Sequence, residues 1–83
     1  MADAAALTMY TTTWCGYCRT LKTALRSAGI PWNEVDIEDV PDAGELVASI
    51  NGGNRVVPTV VYPDGTAATN PSLADVKAAL ALS

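Results

Sequence analysis

The sequence predicts an α/β protein in which a four-stranded mixed sheet is flanked by three helices in the order β-α-β-α-β-β-α. Three observations point there. Segments of alternating hydrophobicity take turns with segments of helical spacing, the first two strand-like segments are separated by a helix, and the last two are joined by the tight turn Pro63-Asp64-Gly65. A strand-helix-strand crossover is right-handed and makes its strands parallel, whereas a tight turn makes them antiparallel. With 83 residues and no repeat, low-complexity tract or linker, residues 1–83 are expected to form one small domain.

Each element has its own signal. Ala5 to Thr11 sets Leu7 and Met9 between Thr8 and Tyr10, a strand pattern that the β-branched Thr11 to Thr13 lead out of. Leu21, Ala24, Leu25 and Ala28 then recur at i, i+3, i+4 and i+7, and Gly29 with Pro31 stops that helix, which therefore starts at or just after Cys15. Trp32 to Ile37 alternates again, with Val35 and Ile37 on one side and Glu34 and Asp36 on the other. A second helix follows Pro41, carries Ala43, Leu46, Val47 and Ile50 on one face, and ends at "NGGN", residues 51–54. Of the two strands around the tight turn, the first begins at Thr59, because Pro58 cannot donate to a central ladder and belongs at its mouth. Pro71 to Leu82 closes the chain as a helix with Leu73, Val76 and Leu80 on one face and Asn70 or Ser72 as N-cap.

Composition narrows the function. A formal net charge of −4 argues against binding nucleic acid through its phosphates. No apolar run approaches the roughly 18 residues needed to span a bilayer, and no basic residue precedes the apolar start, so a cytoplasmic protein not bound to membranes is expected; a monomer is expected as well. The acidic stretch Glu34, Asp36, Glu38, Asp39, Asp42 and Glu45 reads as a solvated face.

Chemistry is concentrated in "WCGYC", residues 14–18, which holds both cysteines of the chain. Structural zinc needs four ligands, and with no other Cys and no His the remaining two would have to be carboxylates; no metal site is expected. Haem attachment needs His at the position where Arg19 stands. A structural disulfide closing so short a loop would remove little entropy from the unfolded chain. Thiol-disulfide exchange remains. Cys15, at a helix N-terminus, faces unpaired amides and the positive end of the macrodipole, which favour a thiolate, while Cys18 lies one turn on and deeper. Arg19, Lys22 and Arg26 follow on solvent-facing positions. Tyr17 between the thiols offers a flat surface to a substrate, and Trp14 reads first as a packing residue and second as a substrate contact.

"WCGYC", "VVPT" at 56–59 and the element order resemble the thioredoxin fold and, within it, the small glutaredoxin-like proteins. "YTTTWCGYC", "NGGNRVVPTV" and "DGTAATNPS" are similar to mycoredoxins, which reduce mixed disulfides with mycothiol. The resemblance implies a redox-active Cys15-Cys18 pair, no tightly bound cofactor, mycothiol as co-substrate, and mixed-disulfide substrates with a disulfide reductase or peroxidase as a protein partner. It also implies a cis Pro58 beside the thiols, with Val57, Pro58 and Thr59 as substrate contacts and the Val57 backbone pairing with the bound thiol or peptide like an added strand. Glutathione-binding relatives carry Gly-Gly and an acidic residue before the last helix, where this chain has Ala67-Ala68-Thr69-Asn70-Pro71-Ser72. That difference argues for another carrier thiol, with Asn70 and Ser72 at the helix N-terminus as polar contacts. Two alternatives stay open: an electron donor of the ribonucleotide-reductase type, reduced by thioredoxin reductase, and an iron-sulfur carrier ligated through Cys15.

Overall fold

In a computed structural model describing residues 7–54 and 56–80, the chain forms β1 (Leu7–Thr11), α1 (Gly16–Ser27), β2 (Trp32–Asp36), α2 (Pro41–Ile50), β3 (Thr59–Val61), β4 (Ala67–Thr69) and α3 (Leu73–Ala79). All seven elements predicted from the sequence are present, in that order. The four strands lie in the order β2-β1-β3-β4. β1 pairs in parallel with β2, Tyr10 opposite Val35, and antiparallel with β3, Tyr10 opposite Thr59. β3 and β4 form the hairpin, Thr59 opposite Thr69.

The period-two pattern of β1 sorts its side chains between two cores. Leu7 and Met9 are buried on one face with Leu21 and Leu25 of α1, Val60 and Tyr62, and Val76 of α3. On the other face Tyr10 and Val35 pack with Ile37 and with Ala43 and Val47 of α2. The sheet therefore has α1 and α3 on one face and α2 on the other. Leu25 is fully buried at the centre of the larger core. Truncating a side chain in such a place typically costs about 2–5 kcal/mol, because a cavity adds to the lost transfer energy.

The boundaries differ from the sequence pattern in ways local chemistry explains. β2 ends at Asp36 rather than Ile37, although the Ile37 N–H still donates to Thr11 O at 3.0 Å. At α2, Pro41 occupies the first turn and Val40 supplies no side-chain cap. That helix is closed at its other end by the Gly53 N–H, which donates to Ala48 O at 2.7 Å, with Gly52 and Gly53 both at positive φ. α3 is shorter than expected. Pro71 and Ser72 precede it, and Ser72 is the N-cap: its hydroxyl accepts from the Asp75 N–H at 3.1 Å while Asp75 accepts from the Ser72 N–H at 3.1 Å. Asn70, the other candidate cap, instead has φ 46° and donates its backbone N–H to Pro58 O at 2.7 Å. The expected start of β1 at Ala5 and the end of the last helix at Leu82 fall outside the described residues.

Candidate active site

Cys15 is itself the N-cap of α1. It has extended backbone angles (φ −86°, ψ 111°), its carbonyl accepts the Arg19 N–H at 3.2 Å, and its sulfur accepts the Cys18 N–H at 3.1 Å. A thiol thus stands where Ser or Asp ordinarily stands, receiving an amide that the helix leaves unpaired. Helix geometry also brings Cys18 one turn later under the same end, and there it is 1% exposed against 7% for Cys15. Both are free thiols.

Burial pushes the Cys18 thiol up to about 12 from an ordinary 9.0, and its interaction with Cys15 raises it further than the Thr12 backbone and the Lys22 charge can lower it. Cys18 therefore keeps its proton at neutral pH. The two sulfurs differ in kind: one accepts an amide hydrogen bond at a helix N-terminus, and the other is a buried, protonated thiol.

The third participant comes from a distant part of the chain. The Val57–Pro58 peptide bond is cis, and the Cys15 thiol donates to Val57 O at 3.7 Å. Among the described residues, neither the N–H nor the C=O of Val57 makes a backbone hydrogen bond. Pro58 is buried behind it. A short stretch of backbone outside the sheet ladder thus lies beside the sulfur, its Val57 C=O turned to the Cys15 thiol.

Among the described residues, two recesses flank α1. The larger, about 380 Å³, runs between Tyr17, Leu21 and Ala24 of α1 and the segment Asn70 to Leu73. The smaller, about 250 Å³, includes Cys15 and is walled by Thr11 to Thr13, Arg19, Lys22, Glu34 and Asp36. Within it Lys22 pairs with Glu34 at 2.9 Å, and Glu34 also accepts from Thr11 Oγ1 at 3.1 Å and Trp32 Nε1 at 3.3 Å. Partial burial opposes the charge on Glu34, but these donors outweigh it and hold the carboxyl below its usual value.

Among the residues selected from the sequence, Cys15, Cys18, Val57 and Pro58 are brought together, and Tyr17, Asn70 and Ser72 share the larger recess. Two readings need correction. Trp14 does not pack in the core; it is 70% exposed, with its indole N–H donating to Glu38 at 3.2 Å. Thr59 is not a surface contact: it is fully buried, and its hydroxyl donates to Val56 O at 2.6 Å while accepting from Asn51. Ser72 is exposed, but its hydroxyl is engaged in capping α3. Asn51 carries no site signal in the sequence, where a polar residue beside Gly-Gly reads as a helix stop.

A reduced Cys-x-x-Cys at a helix N-terminus, set against a cis-proline loop at one end of a four-stranded sheet, defines a thiol-disulfide oxidoreductase. The sequence profile of the Glutaredoxin family matches residues 7–66, and the chain belongs to that family. It is 60% identical over 76 residues to a glutaredoxin homologue of Mycobacterium tuberculosis H37Rv, covering 92% of this chain and 90% of that one. It is 50% identical over 70 residues to Mycoredoxin 1 of Corynebacterium glutamicum, covering 84% and 86%. Among solved structures, the glutaredoxin of Methanosarcina mazei Go1 superposes with a TM-score of 0.77 at 22% identity, over 94% of this chain and 80% of that one. The glutaredoxin-like NrdH-redoxin of Escherichia coli, described as having a thioredoxin-like activity profile, superposes with a TM-score of 0.67 at 26% identity, over 77% and 80%. The thioredoxin fold expected from the sequence is the fold observed.

Proposed function

We propose that this glutaredoxin-family protein reduces mixed disulfides formed between a low-molecular-weight carrier thiol and its substrates, that Cys15 is the nucleophile, and that the carrier is mycothiol. The observation that carries the assignment of roles is the asymmetry of the pair: Cys15 accepts the Cys18 N–H at the open end of the helix, and Cys18 is buried and protonated. Cys15 thiolate attacks the carrier's sulfur, the substrate sulfur leaves and takes up a proton, and a Cys15-carrier disulfide forms. A second carrier thiol then attacks the carrier sulfur and releases Cys15. In the alternative resolution Cys18 loses its proton, attacks Cys15 and expels the carrier, leaving the Cys15-Cys18 disulfide for a reductase. Val57 offers its N–H and C=O, neither in a backbone hydrogen bond among the described residues, to the bound thiol, and Tyr17 and Trp14 are exposed aromatic surfaces close to Cys15 in the chain. Asn70 and Ser72 line the larger recess as its polar groups.

Mycothiol as carrier is supported by the likeness to Mycoredoxin 1. The smaller recess is compatible with it: Thr13, Arg19, Lys22, Glu34 and Asp36 mix donors with acceptors, a lining suited to a hydroxyl-rich body. No helix among the described residues is long and apolar enough to cross a membrane; we place the reaction in the cytoplasm, where a thiol reductant is present. The likeness to NrdH-redoxin favours a second reading, reduction by a thioredoxin reductase. Side-by-side rates for reduction of the Cys15-Cys18 disulfide by mycothiol, by glutathione, and by NADPH with thioredoxin reductase test the choice. Mycothiol is expected to be fastest; rapid reduction by the reductase with none by mycothiol establishes the second reading instead.

A further inference from the structure

The segment that carries Val57 is held by one side chain. Asn51 caps the end of α2, and its amide nitrogen donates both protons, to Val47 O at 2.9 Å and to Thr59 Oγ1 at 3.1 Å. Its amide oxygen accepts from Thr69 Oγ1. Thr59, fully buried, passes its own proton on to Val56 O at 2.6 Å. Each of these donors and acceptors is used in one sense only, so the amide cannot be flipped without breaking bonds. The side chain thereby ties together the last turn of α2, the first residue of β3 and the last of β4.

The consequence falls on Val57. The carbonyl before it, on Val56, is held by Thr59; the carbonyl after it, on Pro58, is held by the Asn70 N–H at 2.7 Å. Between these two fixed points the Val57 C=O faces the Cys15 sulfur at 3.7 Å. We propose that Asn51 is a positioning residue: through Thr59 it holds the backbone edge at Val57 in register with Cys15, so that a substrate bearing backbone-like amides is aligned for exchange. Asn51 touches neither sulfur nor substrate. The inference rests on Cys15 as nucleophile and Val57 as the pairing edge, and it is independent of which carrier thiol is used.

Two disulfide probes separate edge pairing from thiol chemistry: the symmetric disulfide of N-acetylcysteinamide, which carries amides, and 2-hydroxyethyl disulfide, which carries none. With the wild-type protein the amide probe is expected to have the higher kcat/KM. Asn51→Ala is expected to lower kcat/KM for the amide probe about five- to tenfold, the weight of one hydrogen bond, mainly through KM. Reduction of the hydroxyethyl probe and alkylation of Cys15 by iodoacetamide should stay within about twofold, since neither needs the edge. Thr59→Ser, which keeps the hydroxyl, should retain the wild-type preference, and Thr59→Val should not. Should Asn51→Ala fail to fold, Thr69→Val, at an exposed position and one hydrogen bond from the same amide, carries the same comparison. Equal losses on both probes, or no loss on either, overturn the proposal. A wild-type protein without preference for the amide probe overturns the pairing-edge reading beneath it.

Discussion

At the scale of single residues, Cys15 and Cys18 share a chain, a motif and a helix turn, yet differ by environment alone. Both are buried; Cys15, as N-cap, is the less buried at 7% exposure, and Cys18, one helical turn on, is the more buried at 1%. That difference was legible in the sequence. Cys15→Ser is accordingly expected to abolish reduction of mixed disulfides, while Cys18→Ser retains reduction of small ones to within about an order of magnitude, because a second carrier thiol can resolve the intermediate. Equal loss in both variants, in a coupled assay with a small mixed disulfide, rules out resolution by the carrier. Other residues were illegible for physical reasons. Trp14 is large and apolar, which predicts burial, but it stands between the end of β1 and the N-cap, where the chain turns over the surface. Thr59 is polar beside a proline, which predicts exposure, but the hairpin register places it at the sheet centre, with Asn51 supplying the partner that burial demands.

At the scale of elements, boundaries follow capping chemistry more than propensity. α3 covers only Leu73–Ala79, too short to be stable by itself, so its reciprocal cap and its contact with the core matter more than usual. Ser72→Ala removes the hydroxyl that accepts the Asp75 N–H and is expected to cost about 1 kcal/mol, read from urea unfolding. By contrast, the Lys22–Glu34 pair between α1 and β2 is partly exposed, and Glu34→Gln should cost under about 1 kcal/mol at neutral pH. The sign follows from the lowered Glu34 value: its contribution is present above the unfolded carboxyl near 4.5 and disappears as pH falls through the folded one. Wild type and variant should therefore converge in stability in acid. The alternation of Trp32 to Asp36 made β2 readable; the partner Lys22, twelve residues earlier on a helix face, was readable only as one of three cations after the cysteines.

At the scale of the whole molecule, element order and the two connection types were enough to give the sheet, since handedness and turn length restrict the possible topologies. What the pattern could not give was the assignment of helices to faces: Leu21 and Leu25 predict a buried stripe on α1, but not that Val76 of α3 meets it while Val47 of α2 lies across the sheet. Global stability of the reduced protein carries the signature of Cys18. Its thiol is raised from 9.0 to about 12 on folding, so the unfolded chain releases a proton that the native state keeps, and stability falls as pH rises through that window, by up to about 1.4 kcal/mol per pH unit. Tyr62, also raised by burial, adds to the loss above 10. Cys18→Ala should flatten the decline between pH 9 and 10 in urea unfolding under reducing conditions, whereas an unchanged slope would place its source elsewhere.

The division of labour between the two sulfurs is tested most directly by where an electrophile lands. Fully reduced protein is treated with a limiting amount of iodoacetamide at neutral pH, and the labelled cysteine is located by digestion and mass spectrometry. Modification confined to Cys15, with Cys18 left as a free thiol, is the predicted result; modification of Cys18 at an equal or greater rate contradicts it.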